Sequence, residues 1–195
     1  MNTIFAFIIE SILFGTGLAM DAFSVSFANG LGEPKMRAKK VFAIAGTFAF
    51  FQFAMPMLGW FFVHTAAERF EKFHKLIPWI ALILLLFIGG KMLIEGVKNR
   101  NSEAEPEKLK AGALFVQGIA TSIDALSVGF TIADLTAAKA LAESAIIGAV
   151  TFAICVVGLK IGKKAGDRLA GKAMILGGVI LIAIGIEIFV SSFFK

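Results

Sequence analysis

Charge is scarce in this chain, and cysteine is nearly absent. Only 17% of the 195 residues are Asp, Glu, Lys or Arg, too few to cover the surface of an ordinary soluble domain of this length. The one cysteine, Cys155, has no partner in the chain, which excludes an intramolecular disulfide framework. It lies inside an apolar run and reads as a small packing residue. No basic residue flanks the first apolar run at Met1-Asn2-Thr3, so that run is expected to be a retained helix rather than a signal peptide. None of the apolar runs alternates apolar and polar residues with period two, which excludes a transmembrane barrel.

What is present is hydrophobic. Apolar residues make up 58% of the chain, and the mean hydropathy is +0.86. They fall into six runs, at residues 4–28, 41–63, 76–97, 111–133, 140–161 and 173–194. Each is about twenty residues or more, long enough at 1.5 Å per residue to cross a hydrocarbon core of ~30 Å. The sequence therefore predicts an all-α, polytopic membrane protein with six transmembrane helices embedded in a lipid bilayer. The stretch 98–110, with Glu103, Glu105, Pro106 and Glu107, is the most polar and is expected to link two halves, residues 1–97 and 111–195.

The net charge of +5 does not indicate nucleic acid, because the basic residues sit between apolar runs, where topology-determining charges belong. With the N-terminus outside, cytoplasmic segments hold thirteen: Lys35, Arg37, Lys39, Lys40, Lys98, Arg100, Lys108, Lys110, Lys160, Lys163, Lys164, Arg168 and Lys172. Outer segments hold five: Arg69, Lys72, Lys75, Lys139 and Lys195. Both termini are thus predicted to lie outside. Trp60 and Trp79 fall at the outer interface, where an aromatic belt would place them.

Two apolar runs carry the same short motif. Met20-Asp21-Ala22-Phe23-Ser24-Val25-Ser26-Phe27 matches Ile123-Asp124-Ala125-Leu126-Ser127-Val128-Gly129-Phe130 at five of eight positions, 103 residues apart and without a gap. An Asp at the centre of a spanning helix costs roughly 2.5–3.5 kcal/mol, against about 0.3–0.6 returned by each Leu. Such residues face bundle interiors and mark ion or substrate routes. The duplication implies two repeats of three helices each. An odd number inverts the second repeat in the membrane, and in inverted-repeat transporters the site lies near the midplane where the halves meet.

At 100° per residue, Gln117, Thr121, Asp124 and Thr131 share about 80° of arc, with Ser127 at its margin. Glu10, Gly17, Asp21 and Ala28 share a face of the first helix, flanked by Ser24 and Asn29. Gln52 and Met55 lie one turn apart in the second run; Met55 reads as packing. Oxygen donors of this kind, carboxylate, hydroxyl and amide, suit a hard divalent cation such as Mn²⁺ or Mg²⁺. The candidate metal-contacting residues are Asp21, Asp124, Ser24, Ser127, Thr121, Asn29 and Gln52. Without a cation the paired carboxylates repel, and one takes up a proton, which supplies an exchange mechanism.

Lys91 and Glu187 read as a structural ion pair or, alternatively, as a charge that compensates the empty metal site, and Glu95 and Glu143 as near enough to helix ends to reach headgroups. His64, Glu68, Glu71 and Lys75 read as a solvated face. Gly158, Gly162 and Gly166, like Gly89-Gly90 and Gly177-Gly178, read as helix-packing contacts.

These motifs resemble the MntP family of bacterial manganese exporters, within the LysE-like group of six-helix transporters. The resemblance rests on Met20-Asp21-Ala22-Phe23, on Ala120-Thr121-Ser122-Ile123-Asp124-Ala125, and on Pro78-Trp79-Ile80-Ala81 leading to Gly89-Gly90-Lys91-Met92 and Glu95-Gly96. It continues at Ile175-Leu176-Gly177-Gly178 and covers nearly the whole chain. It implies efflux of Mn²⁺ across the bacterial inner membrane, with Asp21 and Asp124 central, the ion being cargo and no cofactor or catalysis being involved. The family pattern allows an acidic residue at Gln52, so this chain carries one negative charge fewer there. A homo-oligomer is compatible with the sequence.

Two rivals fit less well. A LysE-type amino-acid exporter needs groups for both an ammonium and a carboxylate, whereas the helix interiors offer mostly acids and one Lys. An intramembrane aspartyl protease has Gly directly before its Asp, where this chain has Met20 and Ile123.

Overall fold

The computed structural model describes residues 2–65, 109–169 and 173–193, together with residues 79, 82, 83, 86, 87, 89, 90, 93, 94 and 97. Six helices have defined bounds: α1 (Asn2–Gly32), α2 (Ala38–Thr65), α3 (Ala111–Ala120), α4 (Ile123–Thr131), α5 (Ala137–Leu169) and α6 (Ala173–Phe193). The described residues among 79–97 are helical as well, and no strand occurs among the described residues. Among the described residues, four segments are long and apolar enough to cross a membrane: Ile4–Gly32, Ala38–Val63, Ala111–Thr131 and Ala137–Gly166, the third of them made of α3 and α4. A shorter apolar stretch, Ile175–Ile184, lies in α6.

Local chemistry sets the boundaries. Pro34 disfavours helical backbone at Glu33, and α1 stops at Gly32. The chain then turns, with the Met36 N–H donating to the Glu33 carbonyl and Lys40 paired to the Glu33 carboxylate. Lys163 of α5 donates to the Met36 carbonyl and ties this turn to the bundle. Pro56 lies inside α2. A proline has no N–H for the carbonyl four residues back, and that carbonyl belongs to Gln52.

The fourth apolar run departs from the single helix its length predicts. It breaks at Thr121-Ser122, where the Ser122 N–H donates to the Ile119 carbonyl in a tightened turn. The Thr121 hydroxyl donates to the Gln117 carbonyl at 2.9 Å and the Ser122 hydroxyl to the Gly118 carbonyl at 2.7 Å. Adjacent hydroxyls bonding back onto the preceding turn bend and interrupt helices.

Small residues then decide how the helices meet. A Cβ on Gly30 would stand 2.6 Å from the Leu159 carbonyl, and one on Gly15 3.1 Å from the Ile147 Cα. Gly158, Gly162 and Gly166 meet the carbonyls of Phe23, Phe27 and Leu31 in the same order. Contacts rise together along both chains, so α1 and α5 run parallel. The α2 contacts with α3 and α4 also rise together: Gly118 against Phe51, and Gly129 against Pro56, Gly59 and Trp60. Trp60 extends that seam by donating its indole N–H to the Leu135 carbonyl at 3.0 Å. In contrast α2 runs antiparallel to α5, with Gly148 at Phe53 and Phe152 stacked on Phe42. Gly89 and Gly178 meet each other, each carbonyl within 2.8 Å of the other's Cβ position.

The core that results is apolar and closely filled. Ala22, Val25 and Ala28 of α1 pack with Ile44, Ala45 and Phe48 of α2, Cys155 and Leu159 of α5, and Leu181 and Ile184 of α6. Cys155 is buried and free, a packing residue as its surroundings in the sequence predict.

Candidate metal centre

At the middle of the bundle, one side chain joins three helices. Gln52 of α2 is fully buried, and its amide nitrogen donates to two main-chain carbonyls, Leu18 of α1 at 3.2 Å and Thr121 at 2.9 Å. Leu18 precedes Asp21 by three residues, and Thr121 precedes Asp124 by three. Gln52 therefore bridges matching points of the duplicated motif. Because both acceptors are carbonyls, the nitrogen must face them, and the amide oxygen points the other way. That oxygen is buried and accepts no hydrogen bond among the described residues. Buried polar atoms are nearly always satisfied, so an orphan of this kind calls for an explanation.

The aspartates flank this bridge. Leu18, one turn before Asp21, and Ala125, next to Asp124, belong to one small core cluster with Ile147. Asp21 sits half-buried in an unbroken helix, and Asp124 half-buried in the first turn of α4, just past the break. There its carboxylate accepts the Ala125 N–H at 2.9 Å, at a helix N-terminus, where aligned N–H groups favour an anion. Broken helices recur at transporter sites, where the N-terminus of a half-helix favours an anionic group and unwound carbonyls favour a cation. Glu187 of α6 interacts electrostatically with Asp21 as a second carboxylate. Its expected partner Lys91 lies outside the described residues.

The remaining predicted residues are placed differently. Ser24 donates its hydroxyl to the Met20 carbonyl and Thr121 to the Gln117 carbonyl, which leaves oxygen lone pairs in each case. Ser127 is half-buried on α4, one turn beyond Asp124. Asn29 stands eight residues past Asp21, about 12 Å along the helix, in a reciprocal amide pair with Gln117. Its nitrogen donates to the Gln117 oxygen at 2.8 Å and its oxygen accepts from the Gln117 nitrogen at 3.2 Å. In this conformation the Asn29 amide is engaged, and α1 is clasped to α3. Met55 packs with Leu18 and Ala125. Among the described residues no three His, Cys, Asp or Glu side chains converge as a metal cluster. A cation here would rely on the two aspartates, with the Glu187 carboxylate near Asp21, plus neutral oxygens.

The clasp yields a stability prediction. Asn29→Leu leaves the buried Gln117 amide unpaired, which should cost about 1–3 kcal/mol. The double variant Asn29→Leu/Gln117→Leu removes both partners and should recover most of that loss in thermal unfolding of the purified protein. Destabilisation of the double variant equal to the sum of the Asn29→Leu and Gln117→Leu effects would show that the pair is not coupled.

Comparison with known proteins adds the family. The model of the Mntp family, described as "Putative manganese efflux pump", matches residues 35–189. The chain belongs to the Mntp family. A relative from Clostridium botulinum (strain Langeland), named "Putative manganese efflux pump MntP 2", is 41% identical over 94% of each chain. An Mntp relative from Clostridium perfringens (strain SM101) is 42% identical over 93% of each chain. Another from Ruminiclostridium cellulolyticum is 39% identical over 95% of this chain and 96% of its own. No solved structure matches.

Sequence reasoning missed three features of this centre: the helix break, the bridging role of Gln52 and the engagement of Asn29. The Thr121-Ser122 pair, placed directly before Asp124, was the available signal for the first. Pro56, four residues after Gln52, was the signal that the Gln52 carbonyl lacks its usual N–H donor.

Proposed function

We propose that the chain exports Mn²⁺ from the cytoplasm across the bacterial inner membrane, with Asp21 and Asp124 sharing the ion. The observation that carries this reading is the orphaned Gln52 oxygen. It lies in a buried position next to two acidic motifs, on a side chain whose other end is fixed by both. An amide oxygen of that kind is a neutral ligand for a hard cation. The Gln52 main-chain carbonyl, to which Pro56 cannot donate, adds a second oxygen at the same level. Ser24, Ser127 and Thr121 supply hydroxyl oxygens one turn from the aspartates. The names of the relatives support a metal rather than an amino acid as cargo.

The proposed frame is a six-helix inverted repeat, residues 1–97 and 111–195, joined by a cytoplasmic linker at 98–110, with both termini outside. Parallel packing of α1 with α5, and of α2 with α3 and α4, supports it, since an inverting pseudo-twofold axis exchanges one pair for the other. The excess of basic residues in the segments assigned to the cytoplasm supports the orientation.

In that frame Asn29 and Gln117 lie on the cytoplasmic side of the aspartates and close it. Opening the clasp frees the Asn29 oxygen to meet an arriving ion. The ion then displaces protons from the carboxylates, and protons displace it on the outer side. Two converging carboxylates cannot both stay bare in a low-dielectric site, so exchange with protons follows from the charges themselves.

Gln52→Leu tests the bridge. It deletes the free oxygen and leaves the Leu18 and Thr121 carbonyls without their shared donor. Mn²⁺ flux into everted vesicles should fall about tenfold, equivalent to roughly 1.4 kcal/mol. Gln52→Glu, which keeps an oxygen, should retain more flux than Gln52→Leu. Wild-type flux in Gln52→Leu would remove this residue from the site.

A further inference from the structure

A second group of oxygen donors lies in the α1–α5 seam, well away from Asp21. With Gly15 against Ile147 and Val150, carrying the parallel register toward both N-termini brings Glu10 level with Glu143. The two carboxylates are near enough to interact electrostatically. Contrary to the expectation that Glu143 reaches the headgroups, the residue is only 4% exposed. No hydrogen bond or ion pair reaches it among the described residues. The next residue, Ser144, is fully buried, and its hydroxyl has no partner among the described residues. Ser144 lies one turn before Ile147, whose Cα touches Gly15, so that hydroxyl faces the same seam.

A buried carboxylate beside a second, exposed one, with a buried hydroxyl unpartnered among the described residues, is costly in an apolar setting. A solvated surface pair would not bury Glu143. Two carboxylates and a hydroxyl form an all-oxygen donor set, which suits a hard divalent cation rather than a soft one. Eleven residues separate Glu10 from Asp21, about 16 Å along α1, and at 100° per residue the two share a face. One helix face thus carries both acids.

We propose that Glu10, Glu143 and Ser144 form a second divalent-cation site, which receives the ion between Asp21 and the outer end of the bundle. The position along the route rests on the export reading above; the site itself does not. An ion leaving the central aspartates would meet this pair before reaching bulk water.

Equilibrium dialysis of the purified full chain against MnCl₂, counting ions per chain at saturation, tests it. Glu143→Gln and Glu10→Gln should each bind one ion fewer than wild type, and the double variant Glu10→Gln/Glu143→Gln should lose that same ion and no other. Glu143→Asp, which keeps the charge, should retain it, so that loss in Glu143→Gln is not misfolding. Asp21→Asn should lose a different ion, and Asp21→Asn/Glu143→Gln should lose both. Wild-type stoichiometry in Glu143→Gln overturns the outer site, since a pair that only shares a proton binds no metal. Full stoichiometry in Asp21→Asn alongside a loss in Glu143→Gln overturns the central site and leaves the outer one standing.

Discussion

Cells carrying Asp124→Asn should accumulate Mn²⁺ to the level of cells with no transporter, and Asp21→Asn should do the same. Each substitution keeps size and one oxygen but removes from the proposed site one of the two aspartate charges that would hold a doubly charged ion. Removing one partner of a buried charge pair costs about 3–5 kcal/mol, a loss of a hundredfold or more in affinity. Hydroxyls cannot make up that difference, and Gln52, standing where the family pattern allows an acid, adds no charge. Insertion should survive, because an amide is less costly in lipid than a carboxylate. The check is cellular Mn²⁺ content at matched membrane protein levels. Unchanged content in both variants would remove the aspartates from the site.

The second large effect is steric. Gly162 of α5 meets the Phe27 carbonyl and Gly129 of α4 meets the Pro56 carbonyl so closely that a Cβ at either place cannot fit without moving backbone. Gly162→Ala and Gly129→Ala should each destabilise the protein by about 3 kcal/mol, the upper part of the usual overpacking range. Gly46→Ala gives the contrast, because nothing lies within 4 Å of its Cβ position. There the gain in helix propensity, about 1 kcal/mol, is unopposed, and stability should hold or rise. Thermal unfolding of the three purified variants in one detergent decides the matter. Similar midpoints for Gly162→Ala and Gly46→Ala would mean that the α1–α5 seam is looser than described.

Much of this is legible in the sequence. The helical class followed from run length and hydropathy, and Gly158, Gly162 and Gly166 signalled their seam because small residues at spacing four line one face of a helix. The two aspartates were conspicuous because charge in an apolar run is expensive. Other features depend on contacts between residues far apart in the chain. Gln52 was visible as a polar residue in a helix, but its two acceptors lie 34 and 69 positions away, and only their geometry leaves the amide oxygen bare. Asn29 looked like a flank of the Asp21 face until Gln117, 88 positions on, occupied it. Glu143 looked like a headgroup contact because it stands near the start of α5, yet packing against neighbouring helices covers it. The break at Thr121-Ser122 is a local competition between hydroxyl and amide donors for the same carbonyls, which hydrophobic periodicity does not register.

The most direct test of the shared ion exchanges its ligands. In a Cys155→Ala background, the variants Asp21→Cys, Asp124→Cys and Asp21→Cys/Asp124→Cys replace hard carboxylates with soft thiolates, which prefer Cd²⁺ to Mn²⁺. Titration with Cd²⁺, followed by the thiolate-to-metal charge-transfer absorption, should show one ion per chain in the double variant. It should bind far more tightly than to either single variant, with both thiols consumed. Independent, weak binding in the double variant, equal to the sum of the two singles, would contradict a site in which the halves meet around one cation.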